Sequence, residues 1–446
     1  MTRIAVVCLT PALGHLRPLL SIAAAARDSG MEPTVFVPDE LDRFPRSEGL
    51  STVNTGSFYG AEPAPDLAGF AARGILGQTW HGQIEWTREG RLTADTELLR
   101  RAPAIFEAVR EVQPDLILAD EHRLASVVRG FAGELRIPVV ANVSTGTHRL
   151  CQPPAAVRHG PGIPRALEFA SNSLAKGRTR LFPLIQRVTR PDQSRRDRAL
   201  SSDLAAAKEA FSKQYAQAPP AEVRITAGIG ILETRHLAHL IRACPEVRDF
   251  GPTAPIDTGP IPEDLAGWLS STNDDPAVLV AFGSMVPLPD PAAKSLALAL
   301  RANSFRAIWA SPKPPPGIDP ADRSGRIRWE PWVPQSALLG DDRVRAFVTH
   351  AGSGSTQEAI WFGKPMLCIP LAWDQYYNAR VVELLGAGLR HTKSGRGQAR
   401  LRRKLSTVVS DPKLAERSTQ LGGELRQAEG TEPILALIRA LVSDNP

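Results

Sequence analysis

Short apolar runs separated by helix-length segments constrain this chain more than any other feature. Arg3–Leu9, Glu32–Val37, Ser51–Thr55, Asp115–Ala119 and Pro138–Asn142 read as strands with helical segments between them. The pattern returns at Ala277–Phe282, Phe305–Ala310, Ile327–Glu330, Ala346–Thr349 and Met366–Ile369. Alternation of this kind means parallel sheets with helices on both faces, so the expected fold class is α/β. At 446 residues the chain is too long for one ordinary core. Between the two series, Cys244 to Glu263 carries Pro245, Pro252, Pro255, Pro260 and Pro262 with Gly251 and Gly259, the composition of an extended connector. The expected division is a first α/β domain over 1–244, a linker over 245–263 and a second α/β domain over 264–430. A C-terminal helix over 431–446 would pack back on the first domain.

The richest stretch runs from Trp332 to Gln375. It reads W-V-P-Q at 332–335, H-A-G-S-G-S-T-Q-E at 350–358 and P-L-A-W-D-Q-Y-Y-N at 370–378. A strand stops at Val348-Thr349-His350, a turn of small residues follows, and a helix is expected to open near Ser355-Thr356. Glycine and serine there let backbone N–H groups approach an anion, with the positive end of the helix dipole behind them. His350 adds a side-chain donor. Glu358, three residues after Ser355, reads as a capping box with Ser355 as N-cap, or as a carboxylate for ribose hydroxyls. Asp374 and Gln375 follow the next strand at its C-terminal edge, where ligands bind in open α/β sheets.

In the first half, Gly14-His15-Leu16-Arg17-Pro18 follows the first strand. Histidine as a residue type exchanges protons near neutral pH, and His15 stands at a ligand-binding edge, so it is a candidate general base. Asp120 ends the strand Asp115–Ala119 on the same edge, where its carboxylate can hydrogen-bond the imidazole or cap a helix. Glu121 and His122 are its neighbours and competitors.

The Trp332–Gln375 stretch resembles the donor-binding box of nucleotide-sugar-dependent glycosyltransferases. The likeness is greatest to bacterial macrolide and natural-product enzymes, because Ser353-Gly354 stand where plant enzymes carry Trp-Asn. Gly14-His15-Leu16-Arg17-Pro18 matches that family's Gly-His-x-x-Pro motif. The resemblance implies the GT-B architecture, two Rossmann-like domains facing across a cleft. It implies that His15 is the base and that Asp120 fixes its tautomer. On the donor side it gives Trp332 the uracil ring, Val333 backbone bonds to the ring's edge, and Gln335 a base or ribose hydroxyl. His350 and the amides of Gly352, Ser353, Gly354 and Ser355 take the pyrophosphate, assisted by Ser284 in a Phe-Gly-Ser turn. Glu358 takes the ribose, and Asp374 with Gln375 the sugar's hydroxyls. Asn378 and Trp329 are expected to be structural.

The same resemblance implies inverting transfer of a hexose from a UDP- or dTDP-sugar to a hydroxyl of a small lipophilic natural product, of macrolide, other polyketide, flavonoid or terpenoid class. The nucleotide sugar is a co-substrate and no cofactor is implied. No Asp-x-Asp pair is placed to hold a divalent ion, so no metal is expected. Trp80, Trp86 and Ser144 are candidates for the acceptor pocket.

Composition narrows the rest. Apolar residues make up 43% and charged residues 22%, as in soluble globular proteins, and no run of about 18 apolar residues suggests a spanning helix. Cys8, Cys151, Cys244 and Cys368 lie far apart, which favours the cytosol over a disulfide framework or zinc site. The net charge of +6 comes from Lys176–Arg198 and Arg396–Lys404, read as solvated helix faces rather than nucleic-acid or membrane contacts. The first strand-to-helix turn lacks G-x-G-x-x-G, and there is no Gly-x-Ser-x-Gly elbow. Alternative readings are a sugar-nucleotide 2-epimerase, a membrane-surface glycosyltransferase with a lipid acceptor, and an inactive partner subunit. The oligomeric state is not legible.

Overall fold

The computed structural model describes the chain except residues 11–12, 58–79, 122–124, 144–149, 153–190, 216–220, 240–241, 244–245, 254–258, 272–274, 284–287, 322–324, 372–373, 392–396, 429 and 445–446. Of residues 80–91, 125, 150–152, 191–197 and 242–243 only the backbone is described.

Seven parallel strands build the first sheet: β1 (Arg3–Val7), β2 (Glu32–Val37), β3 (Ser51–Asn54), β4 (Leu116–Asp120), β5 (Val139–Asn142), β6 (Glu222–Thr226) and β7 (Val247–Asp249). Their spatial order is β3-β2-β1-β4-β5-β6-β7. Six parallel strands build the second: β8 (Ala277–Ala281), β9 (Arg306–Ala310), β10 (Ile327–Glu330), β11 (Val344–Thr349), β12 (Met366–Cys368) and β13 (Gly388–Arg390), in the order β10-β9-β8-β11-β12-β13. Leu150–Gln152 and Arg242–Ala243 form a separate antiparallel pair. The two sheets give the GT-B architecture that the sequence resemblance implied.

Each sheet reverses its strand order once, between β1 and β4 and between β8 and β11. A crevice opens outside the C-terminal ends of the strands at such a switch point, and ligands bind there. His15 follows β1 and Asp120 ends β4, while Gly283 follows β8 and His350 follows β11. Topology alone therefore gathers the candidate residues at two crevices.

The strands are apolar on both faces because both faces are covered. In β1, Ile4 and Val6 face a core shared with Leu16, Leu19, Leu20 and Ile22 of α1 (Leu13–Asp28). Ala5 and Val7 face the opposite core, which contains Phe106 of α2 (Trp80–Val112) and Leu204 of α3 (Pro191–Gln214). The two halves also exchange helices. α4 (Gly230–Leu237) follows β6 yet buries Leu232 and Leu237 in the second core, where Tyr377 donates to the buried Glu233 at 2.7 Å. The remaining labelled helices are α5 (Gln335–Gly340), α6 (Ser353–Trp361), α7 (Gln375–Leu385), α8 (Pro412–Gln427) and α9 (Thr431–Ser443). α9 comes last in the chain and buries Ile434, Leu435 and Ile438 in the first core beside α1. Among the described residues no helix is long and apolar enough to cross a membrane.

One boundary differs from expectation. Val247–Asp249, inside the stretch read as linker from residue 245, pairs with Arg224–Thr226 as β7. An extended, proline-punctuated chain is already in the right conformation to add an edge strand, so the first sheet runs on to Asp249. The chain then leaves for the second half at Phe250 and returns at Gly430. These two passages touch backbone to backbone: Gly430 N–H donates to the Pro252 carbonyl at 2.8 Å. A Cβ at Gly251, whose φ is +83°, would stand 1.7 Å from the Ala428 carbonyl oxygen, and one at Gly430 would stand 2.1 Å from that of Phe250.

Glycine is therefore required at this crossing both for conformation and for space. Gly251→Ala should lose more than about 2 kcal/mol of stability, from left-handed strain plus a backbone clash. Gly267→Ala, on an exposed helix face where a Cβ meets nothing within 4 Å, should gain about 0.5–1 kcal/mol. Thermal melting of the two variants should move in opposite directions; an unchanged melt for Gly251→Ala would refute a tight crossing.

Candidate functional site

On the first sheet the site is a histidine–carboxylate pair. His15 lies in the first turn of α1, and its Nδ1 is 3.1 Å from both Asp120 carboxylate oxygens. The Asp120 side chain is almost fully buried and the His15 side chain is mostly so. With Nδ1–H donated to the carboxylate, the lone pair resides on Nε2. Asp120 is the last residue of β4, so a strand end rather than a mobile loop aims the imidazole.

On the second sheet the site is a turn of unusual backbone. Ala351 has φ +63°, a left-handed conformation costly for a residue with a side chain. Two bonds hold it: Ala351 N–H donates to Thr349 Oγ1 at 3.3 Å, and Asn378 Nδ2 donates to the Ala351 carbonyl at 3.0 Å. The same Asn378 amide donates to Asp374 Oδ2 at 3.0 Å, tying the turn to the carboxylate at the start of α7. Asn378 is thus structural, as its place in the sequence suggested. The His350 imidazole lies against two backbone segments. A Cβ at Gly352 would be 2.4 Å from its Nε2, and one at Gly283, φ +70°, would be 2.9 Å from its ring. Burial pushes its pKa down from 6.5 to about 4. At neutral pH the ring is an uncharged hydrogen-bond donor.

The helix after this turn starts earlier than expected. α6 opens at Ser353 with Gly352 as N-cap and no side-chain cap. Ser355 therefore does not cap the helix, and Glu358 sits past the first turn, so the capping-box reading is wrong. The fixed left-handed residue at 351 turns the chain into the helix three residues sooner, with Gly352 rather than Ser355 as N-cap. The first i→i−4 bond runs from Thr356 N–H to the Gly352 carbonyl at 2.9 Å, so the amides of Ser353, Gly354 and Ser355 all lie ahead of it at the positive helix end.

Glu358 is 4% exposed. One oxygen accepts from Gln335 Nε2 at 2.5 Å, and the other is paired with the Arg17 guanidinium from α1. The Gln335 amide also lies 3.5 Å from Ser355 Oγ. A Cβ on Gly354 would come within 3.9 Å of Gly14 Cα, so the starts of α1 and α6 meet across the two halves. Trp332 is 62% exposed, an available flat platform, while Val333 is buried and Trp329 packs against the core with its indole N–H on the Ser311 carbonyl. Gln375 departs from expectation: its side chain is buried, and its amide oxygen accepts the Leu371 N–H at 2.8 Å. As the residue after Asp374 it lies about 100° further round the helix, and its bond ties Leu371 to the start of α7. Ser284 and Ser144 lie outside the described residues, as does the neighbour His122. Trp80 and Trp86 lie on α2, where only the backbone is described.

Sequence reasoning missed Arg17 and the strain at Ala351. Arg17 had a signal, a charge within the motif carrying the base. Ala351 had none, since alanine announces no left-handed turn.

Residues 222–434 match the family model described as "UDP-glucoronosyl and UDP-glucosyl transferase". Among curated relatives, UDP-glycosyltransferase 82A1 of Arabidopsis thaliana is 25% identical over 460 residues, covering 92% of each chain. UDP-glucuronosyltransferase 2A3 of Cavia porcellus is 31% identical over 182 residues, 41% of this chain and 33% of that protein. Against that relative the likeness spans about a third of its length. Among solved structures, the glycotransferase of kitacinnamycin superposes with a TM-score of 0.66 at 22% identity, over 99% of this chain and 98% of that one.

The depressed pKa of His350 has a consequence for stability. Between pH 6.5 and 4 the unfolded chain binds a proton at this residue and the folded chain does not, so stability falls as pH falls through that window. Between pH 7 and 5 the loss is about 2 kcal/mol. His350→Gln removes the titration. Melting temperatures at pH 7 and 5 should therefore converge in the variant relative to the unsubstituted protein; equal acid sensitivity in both would refute the buried neutral ring.

Proposed function

We propose that this chain is a glycosyltransferase of the UDP-glycosyltransferase family, an inverting enzyme that moves a hexose from a UDP- or dTDP-sugar to a hydroxyl of a small lipophilic natural product. The observation that carries this reading is the pairing of His15 on α1 with Asp120 at the end of β4, where the start of α1 meets the start of α6 from the opposite half. A base and an anion-binding helix end, facing each other, are what direct displacement at an anomeric carbon needs. Nε2 of His15 accepts the proton of the acceptor hydroxyl. The freed oxygen pair forms the bond to the anomeric carbon while the bond from that carbon to the diphosphate oxygen breaks. Those electrons leave with the nucleoside diphosphate. Asp120 stabilises the imidazolium formed at His15.

Negative charge grows on the departing diphosphate. The amides at the start of α6 and the His350 N–H are the donors that would meet it, and dipoles fixed in advance need no rearrangement as charge develops. Trp332, exposed beside α5, would carry the base ring. Glu358 would accept ribose hydroxyls, and Asp374 the hydroxyls of the sugar. Gln375 has no sugar contact in this scheme. The kitacinnamycin enzyme among the structural neighbours supports a natural-product acceptor.

Thermal stabilisation by UDP and dTDP, side by side, selects the nucleotide. His15→Ala should then cut transfer by about a thousandfold or more while leaving nucleotide affinity within about threefold. Asp120→Asn should cost about a hundredfold or more. The anomeric configuration of the product, read by NMR, should be opposite to that of the donor. Retained configuration, or full activity in His15→Ala, would overturn the mechanism.

A further inference from the structure

Arg17 is a charged residue on the helix that carries the base, and its guanidinium crosses to the other half of the molecule. Its partner is Glu358, 341 residues away, on the helix whose start forms the anion site. The Arg17 side chain is 25% exposed and that of Glu358 is 5% exposed, so the pair is largely withdrawn from water. A nearly buried carboxylate needs such a partner, because removing one member leaves the other charge desolvated and unpaired. α1 is thereby pinned twice. His15 binds Asp120 in its own half and Arg17 binds Glu358 in the other. The contact of Gly14 with the Gly354 position lies beside this pair and keeps the backbones close.

We propose that Arg17 is a positioning residue that couples occupancy of the donor site to placement of the base. This rests on the reading of Glu358 as the ribose carboxylate. An ionised carboxylate offers about four lone-pair sites. Arg17 uses one and Gln335 another, which leaves room for two ribose hydroxyls on the same group. A nucleotide bound to Glu358 is then joined, through the Arg17 guanidinium, to the helix that aims His15. Arg17 touches neither nucleotide nor sugar in this arrangement. It acts by fixing the distance between the halves.

Hydrogen exchange of the full chain with saturating UDP tests this directly. In the unsubstituted protein, UDP should slow exchange both at residues 353–358 and at residues 13–18. In Arg17→Gln it should still slow exchange at 353–358 and no longer at 13–18, while Arg17→Lys should restore part of the second effect. With UDP-glucose as donor, Arg17→Gln should lower kcat tenfold to a hundredfold and leave the donor KM within about threefold. Adding Arg17→Gln to Glu358→Gln should cost little more than Glu358→Gln alone, because the two act as a unit. Undiminished protection at 13–18 in Arg17→Gln would overturn the coupling. Loss of protection at 353–358 in that variant would overturn the positioning role in favour of direct nucleotide contact. If UDP protects neither segment in the unsubstituted protein, the donor-site reading itself fails, which is a different result.

Discussion

The close approach of Phe250–Thr253 to Ala428 and to Gly430 holds the two halves of the molecule in register. Backbone meets backbone at Gly251 and at Gly430, and the bond from Gly430 N–H to the Pro252 carbonyl closes the crossing. Each half then lends a helix to the other's core, α4 to the second sheet and α9 to the first. A hinge made of loose loops would let two sheets meet at any angle. A crossing with two embedded helices leaves few degrees of freedom, and the angle that remains sets the starts of α1 and α6 against each other. The chemistry at the switch points is therefore a consequence of packing some distance away.

Electrostatics divides between the two sites in a consistent way. Each buried carboxylate has a side-chain partner: Asp120 the His15 imidazole, and Glu358 the Arg17 guanidinium. The donor turn instead uses uncharged dipoles. His350 is held neutral by burial, and the amides at the start of α6 supply partial charge without a counter-ion. Dipoles of this kind attract a diphosphate without gripping it as a lysine cluster would. That suits a ligand that must arrive esterified to a sugar and leave with an additional negative charge.

The parts of the fold that were legible are those where burial on both faces writes a continuous apolar run. Every residue of Ala277–Ala281 is buried, and the strand stood out as such. Glu222–Thr226 was not read as a strand, because its first three residues are only partly buried and two of them are charged. Val247–Asp249 and Gly388–Arg390 are three residues each, too short to show a period. At the site, residue types and order singled out His15 and Asp120, which the structure brings into contact, and the turn after His350. Orientation was not legible. Gln375 sits beside Asp374 in sequence, yet the helix that begins there turns it inward to Leu371. The start of α6 was placed late because serine at 355 is a favourable cap, whereas the actual start is dictated by bonds from Thr349 and Asn378 to Ala351.

Glu358 shows why pattern alone stops short. In the sequence its two roles, helix cap and ribose acceptor, fit the same spacing equally well. The cap is excluded by the position of the helix start, and what replaces it depends on Gln335 and Arg17, 23 and 341 residues distant. Neither partner changes the local pattern around Glu358, so no window of sequence could contain the answer. Yet the more distant partner is the informative one, since it lies two residues from His15. Successive helix residues two apart point in widely different directions, which lets α1 address Asp120 with one side chain and the opposite half with another. A motif that spaces a histidine and an arginine in this way places the imidazole held by Asp120 and the tie to α6 on one rigid element.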